Sequence, residues 1–247
     1  MFEISLQGGT LTYPSHALDS IGFNVEPKTP GIRRVNFGLA NLLSPGWAAG
    51  TTITLNSYQR FSGEFGFSYQ RGRYRLGTFL LGGDPGDPGF SEQSTGLLTR
   101  QFQYNLLFHV RPSRARLRPY FAAGPVLQLI HLTGAPVKRG GGPFRYGMNN
   151  IGMVKAAYNF GNSSPLDGGG IFQFAAQYGA GLKFRILPRW LIRVDFRETI
   201  GPQPNFFPKY SAVDQDESAA ANVTVTHPTL TGAFRQQRFT TGFAFTF

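Results

Sequence analysis

Charged and titratable side chains are sparse in this sequence, and their positions define what chemistry is open to it. Glu3, Glu64, Lys183, Arg185, Arg193, Asp195, Arg197 and Arg238 all fall, by the strand pattern described below, on faces that point to one interior. Such a set forms either an ion path or a salt-bridge network that plugs the space. A lone buried charge costs several kcal/mol, so buried charges pair. The network is the expectation, with Glu64 meeting an arginine. His109 falls on an inward face and His131 near a strand end, where an imidazole can serve as a general base. No serine or acid is tied to either by a readable spacing, so a polar structural role is expected. His16 and His227 fall in connections without a partner. Asp84 with Asp87, and Asp214 with Asp216 and Glu217, offer oxygen ligands for a divalent cation. Neither set has the EF-hand spacing, and both read as solvated loop charge. The Gly140–Pro143 stretch lacks the GK[ST] ending of a phosphate loop. With no cysteine there is no thiolate site. No metal and no cofactor are expected.

The elements that must position these groups follow from composition. Phe occurs 24 times in 247 residues, while charged residues are 15%, below the roughly 25% of soluble domains. No run approaches the roughly 18 apolar residues of a membrane helix. The apolar residues are instead dispersed by alternation. The other structure that can cross a bilayer is a closed β-barrel, which pairs every backbone group internally. Eight alternating runs appear, at 2–13, 47–58, 61–70, 98–110, 117–132, 171–187, 190–200 and 235–247. The connections between them alternate: long at 14–46, 71–97, 133–170 and 201–234, short at 59–60, 111–116 and 188–189. Long loops on one side and tight turns on the other are the pattern of membrane barrels. The stretches Ile32–Leu43 and Arg73–Leu81 either extend these strands or add a pair, giving ten.

Period-two alternation assigns the faces. In the last run Phe239, Thr241, Phe243, Phe245 and Phe247 oppose Arg238, Thr240, Gly242, Ala244 and Thr246. In the sixth, Phe172, Phe174, Tyr178, Leu182 and Phe184 oppose Gln173, Gln177, Gly181, Lys183 and Arg185. Small and polar residues suit a narrow eight-stranded interior, and large rings suit lipid. Trp47, Tyr69 and Phe102 toward the loops, and Tyr58, Phe61 and Trp190 toward the turns, form two expected interfacial girdles. Most of the formal charge of +11 lies at the short-turn rim and on the strands, with the rest in the long loops, which disfavours a nucleic-acid-binding stripe. Arg111, Arg114, Arg116 and Arg118 at that rim read as neighbours of anionic headgroups. The fold class is therefore all-β: a transmembrane antiparallel up-and-down barrel of eight strands, ten being the alternative, forming one domain over residues 1–247.

The C-terminal run Thr240-Thr241-Gly242-Phe243-Ala244-Phe245-Thr246-Phe247 resembles the assembly signal of bacterial outer-membrane barrels, with Thr240, Gly242, Phe245 and Phe247 at its positions. Arg118–Gly124 and Tyr178–Leu182 resemble strands of the OmpA/OmpX-type small-barrel family. The resemblance implies an outer-membrane location, short turns and termini toward the periplasm, and folding by the barrel-assembly machinery with outer-membrane lipids as partners. Residues 1–4 carry no basic n-region, so an export signal is taken to have been removed. The expected function is non-enzymatic: a plugged barrel that displays its loops for envelope integrity or surface interaction. The alternatives are a small channel or carrier for small or hydrophobic solutes, and a lipid A-modifying barrel enzyme. A soluble lipocalin-like binder would instead turn the Phe faces inward.

Overall fold

Alternating bulky and small residues favour extended backbone, because each face of a strand then meets one environment. In the computed structural model this pattern yields antiparallel strands throughout. The structure describes residues 2–14, 17–27, 35–56, 60–81, 90–112, 115–139, 170–204, 221–226 and 232–247. Within them, 17–27, 35–41, 76–81, 90–93, 134–139 and 221–226 are described by backbone alone. The strands are β1 (Phe2–Thr12), β2 (Ala17–Pro27), β3 (Val35–Leu55), β4 (Phe61–Leu81), β5 (Phe90–His109), β6 (Leu117–Arg139), β7 (Ile171–Arg185), β8 (Trp190–Pro202), β9 (Ala221–Thr226) and β10 (Ala233–Thr246).

The ring runs β1-β10-β8-β7-β6-β5-β4-β3 and closes by pairing β3 with β1. β2 and β9 do not widen it. β1 lies against β3 from Leu55 to Gly46, and β2 continues against the same strand from Leu42 to Val35. In the same way β9 pairs with β2 beyond the level where β10 pairs with β1. The ten segments thus form eight columns, and the barrel is eight-stranded. Val35–Leu43 and Arg73–Leu81 lengthen β3 and β4 and form no extra pair. The strands run past the sequence-derived ends on the long-connection side: β4 to Leu81, β6 to Arg139, and β5 from Phe90. At the other end, the first short connection begins at Asn56, so the second run stops earlier than Tyr58. Tyr58 itself lies outside the described residues, as do His16, His227, Arg114, Asp84, Asp87, Asp214, Asp216, Glu217 and Gly140–Pro143. At the short end the His109 N–H to Arg60 O bond, 2.7 Å, continues the β4–β5 ladder, and the Trp190 N–H to Leu187 O bond, 3.2 Å, closes the β7–β8 turn.

The burial pattern is inside-out. Leu6, Leu106, Phe121, Phe174 and Phe243 are 60–73% exposed on the outer wall, while Glu64, Asn105, His109 and Gln128 are fully buried within. Apolar outward residues continue from Phe61 to Tyr69 on β4 and from Phe247 to Phe239 on β10. That is the roughly 9–11 residues a tilted strand needs to cross hydrocarbon. This surface is that of a membrane-spanning barrel. Beyond the apolar band, the polarity reverses. Arg71, Arg73 and Arg75 face outward, and Leu11, Tyr13, Leu43, Tyr74, Leu97, Ile130 and Phe234 are buried inside. The upper part of the wall is wetted, so its core obeys the rule of soluble proteins.

One irregularity lies in the band. The β5–β6 ladder runs through Gln103–Val126 and resumes at Leu106–Ala123. Pro125 has no N–H to give to the ladder. At the neighbouring Gly124 a Cβ would fall 1.8 Å from the Tyr104 carbonyl oxygen, so only glycine permits that approach.

Refolded protein kept in detergent should migrate differently on gels before and after boiling. Leu106→Arg, near the middle of the band, should lower unfolding free energy in urea titrations by about 2–4 kcal/mol. Thr10→Arg, outward near the band's upper edge, should cost no more than about 1 kcal/mol. Equal costs would contradict the stated depth of the band.

Candidate functional site

Seven of the eight interior charges predicted from sequence converge within the lumen, because odd residues of β1, β7 and β8 and even residues of β3, β4, β6 and β10 point inward. Glu64 of β4 is an ion-pair partner of Arg193 and of Arg197 Nη2, the latter at 3.3 Å. Asp195 pairs with the same two arginines, at 2.8 Å to Arg197 Nη2. Tyr120 Oη donates to Asp195 Oδ1, Thr54 Oγ1 donates to Glu64 Oε2 at 3.3 Å, and Arg193 Nη1 donates to Thr52 Oγ1 at 3.1 Å. The Tyr120 ring is faced by Lys183 Nζ at 5.5 Å and by the Arg193 and Arg197 guanidinium carbons at 5.2 and 5.7 Å. Cations over a ring face are stabilised by its quadrupole, more so when desolvated. Gly181 makes room for this ring: a Cβ there would lie 2.3 Å from Tyr120 Oη. Lys183 pairs with Glu3 at 2.7 Å. Arg238 stands apart from this cluster. It faces Arg197 across the β8–β10 pair and donates to Gln103 Oε1 at 3.1 Å. Arg185, the eighth, is half-buried and lines the short-turn mouth with Glu3, Lys183 and Arg118.

Above the charged layer lies a layer of amides. Gln236 Oε1 accepts from Gln101 Nε2 at 2.8 Å and Gln128 Nε2 at 2.9 Å, and Gln173 Nε2 donates to Gln128 Oε1 at 3.0 Å. Gln177 Nε2 donates to Thr199 Oγ1 at 3.0 Å. Over these sits the apolar layer named above, with the Tyr13 and Phe234 rings 5.9 Å apart. Below the charges, Ser62 Oγ lies 3.1 Å from His109 Nε2 and donates to Asn56 Oδ1 at 2.8 Å. His109 Nδ1 has no partner among the described residues, and both residues are buried. Among the described residues no carboxylate is hydrogen-bonded to this histidine, as an orienting acid of a catalytic triad would be.

Several positions differ from the sequence reading. Arg118 is not a rim side chain: it is 6% exposed, turns inward and donates to Asn56 Oδ1 at 3.2 Å and to the Arg111 carbonyl oxygen. Its even position in β6 is the signal that counted, not its nearness to Arg111 and Arg116, which are exposed. Arg71 lies on β4 and not in a connection, while Arg73 and Arg75 lie on the strand extension that the sequence offered as one alternative. Tyr120, Gln101, Gln128 and Gln236 share the inward parity of their strands, and that parity is the signal that marks them. Of the aromatics, Trp47, Phe61, Phe102 and Trp190 are 45–57% exposed on the outer wall, and the Tyr69 ring packs at a tilt against Trp47 with ring centroids 5.5 Å apart. In the last strand Thr240 points inward and donates to Gln7 Oε1 at 3.2 Å, Gly242 packs against the β1 backbone, and Phe247 stacks on Phe2 at 4.6 Å. Phe245 makes an edge contact with Trp190 at 5.1 Å. His131 is on the outer face of β6 and half-buried.

No family model matches the chain, and no curated protein matches it. Among solved structures it is similar to the N-terminal β-barrel domain of Pseudomonas aeruginosa OprF, at 12% identity over 94% of this chain and 99% of that one, TM-score 0.40. It is also similar to neisserial surface protein A, at 8% identity over 100% and 97%, TM-score 0.39. A third is Ail, the attachment invasion locus protein of Yersinia pestis, at 10% identity over 98% and 97%, TM-score 0.35. The fold assignment stands on the strand pairing and surface polarity of the chain itself.

Glu64→Ala strips the buried arginines of a carboxylate and should cost about 3–5 kcal/mol in equilibrium unfolding. Gln173→Ala, which removes a neutral hydrogen-bonding partner, should cost about 1–3 kcal/mol. A Glu64→Ala cost no larger than that of Gln173→Ala would remove the case for a paired charge network.

Proposed function

We propose that this is a non-enzymatic barrel of the bacterial outer membrane, whose lumen carries no solute and whose working surface is the end bearing the long connections. In this reading the short turns and both termini face the periplasm. The strand extensions form a collar outside the membrane that holds connections such as the one from Arg139 to Ile171. The observation that carries it is the stacking of three buried layers across the bore: ion pairs, amides and then an apolar cap. A conducting pore needs a continuous wetted path, and the buried Leu11, Leu97, Ile130 and Phe234 oppose one. Surface interaction or envelope support is then the role left to the collar. Outer-membrane lipids are the standing partners, and the last strand, with Thr240, Gly242, Phe245 and Phe247, is what the assembly machinery would read.

A second reading, a carrier for hydrophobic solutes, is favoured by one feature: the interrupted ladder at Pro125 beside a groove on the outer wall. Planar-bilayer recording separates a closed bore from a channel. Purified protein should give no steady conductance steps, and large, stable steps would overturn the closed lumen. In proteoliposomes, entry of a hydrophobic dye no faster than into protein-free liposomes supports the first reading, and accelerated entry supports the carrier.

A further inference from the structure

Where the apolar band ends, the outer wall is charged unequally around its circumference. On the β7–β8–β10 side the charges neutralise one another: Arg235 Nε donates to Glu198 Oε1 at 2.7 Å, and Tyr178 Oη donates to Glu198 Oε2 at 2.8 Å. On the β4–β5 side the exposed charges among the described side chains are arginines. Arg71, Arg73 and Arg75 occupy successive outward positions of β4, and Arg100 faces outward on β5 opposite Tyr69. All four are exposed. Arg75 is tied to Ser44 Oγ at 2.7 and 2.8 Å. Among the described residues no carboxylate forms an ion pair with Arg71, Arg73 or Arg100. Trp47 lies opposite Arg71 on β3 and packs at a tilt against Tyr69, so these arginines stand beside and just outside an aromatic girdle, at headgroup level.

A second feature continues the same face downward. The Phe67 and Phe102 rings, 5.1 Å apart, are the outward pair next below Tyr69 and Arg100. With Ile53, Phe65, Leu127 and Phe174 they line an almost wholly apolar groove of about 480 Å³ that opens to the outside of the wall. An unneutralised arginine cluster directly above an apolar furrow matches an amphiphile with a phosphate at one end and acyl chains at the other. Guanidinium groups grip phosphate by paired hydrogen bonds. Alternate residues of a strand lie about 6.6–6.8 Å apart and neighbouring strands about 4.8 Å, so Arg71 stands one step from Arg73 and one diagonal step from Arg100, and the three line one edge of a headgroup site.

We propose that the β4–β5 face is a binding site for a single phosphate-bearing lipid of the leaflet on the long-connection side. Arg71, Arg73 and Arg100 take the phosphate, and the Phe67–Phe102 groove seats the chains. The site rests on the membrane reading above but not on the lumen being closed.

The test is native mass spectrometry of refolded protein released from detergent, with phosphatidic acid, diacylglycerol of the same chains, or inorganic phosphate added. Phosphatidic acid should be retained at least tenfold more tightly than either of the others. R71Q/R73Q/R100Q should weaken it about 100-fold, as expected for three surface arginines. Single R100Q should weaken it severalfold, and R111Q/R116Q at the other rim should leave it unchanged. Equal retention of phosphatidic acid and diacylglycerol, or indifference to the triple substitution, would overturn the site. Retention of inorganic phosphate alone would overturn it as a lipid site. A wild-type protein lacking the boiled-versus-unboiled gel shift would fail the barrel reading itself, which is a separate outcome.

Discussion

A wall one strand thick separates hydrocarbon from the lumen, and every strand that crosses must satisfy both sides with alternate residues. The backbone has no choice in lipid: each N–H and C=O needs a partner within the wall, and closure of β1 on β10 and β3 supplies it. Outward residues are then free to be apolar. Inward residues inherit the harder problem, since whatever polar atom they bring must be paired inside a bore about two side chains wide. Glu64, Asp195, Arg193 and Arg197 solve it jointly. Each carboxylate accepts from both arginines, so neither charge is left alone if one side chain shifts.

The need for mutual satisfaction explains residues that look unremarkable in isolation. Tyr120 spends its hydroxyl on Asp195 and its ring on three cations, filling the centre of the charged layer with a group that is apolar in volume yet polar in function. It fits because Gly181 across the β6–β7 pair carries no side chain. A β-branched residue at 181 would meet the ring head on. The glycines of this lumen thus act as the complement of its large side chains, much as small and large residues alternate in a packed core.

How far the sequence discloses this depends on whether a feature follows from parity or from register. Parity is local. The faces of the strands at 61–70, 171–187, 190–200 and 235–247 could be assigned directly, and with them the inward set from Glu64 to Arg238. Register is not local: Ser62 meets His109 across 47 positions and Gln101 meets Gln236 across 135, and these contacts depend on strand stagger. The strand ends were obscured for a third reason. In Arg71-Gly72-Arg73-Tyr74-Arg75 the period of two persists while its meaning inverts, so charges that mark a water-facing wall read as a loop. Arg118 shows the converse, a residue inside a basic run whose parity alone sends it inward.

The inversion at Arg71 also fixes where the membrane must end, independently of any aromatic count. Below that level an outward arginine would have to leave water for hydrocarbon, at about 2–4 kcal/mol near the midplane. Above it, an outward Phe would lose the apolar surface it covers. Four columns change sign toward the long-connection end: β4 at Arg71, β5 at Arg100, β8 at Glu198 and β10 at Arg235. The interior changes at a similar level, from the glutamine layer to Leu11, Leu97, Ile130 and Phe234. The two reversals are one physical event. A barrel wall in lipid can keep its strands together with a polar interior because the backbone cannot pair elsewhere, whereas a wall in water can lose those bonds to solvent and needs an apolar core to hold it. The collar beyond the membrane is therefore built as a small soluble barrel on top of a membrane one, and the seam between them is the level at which lipid headgroups meet the chain.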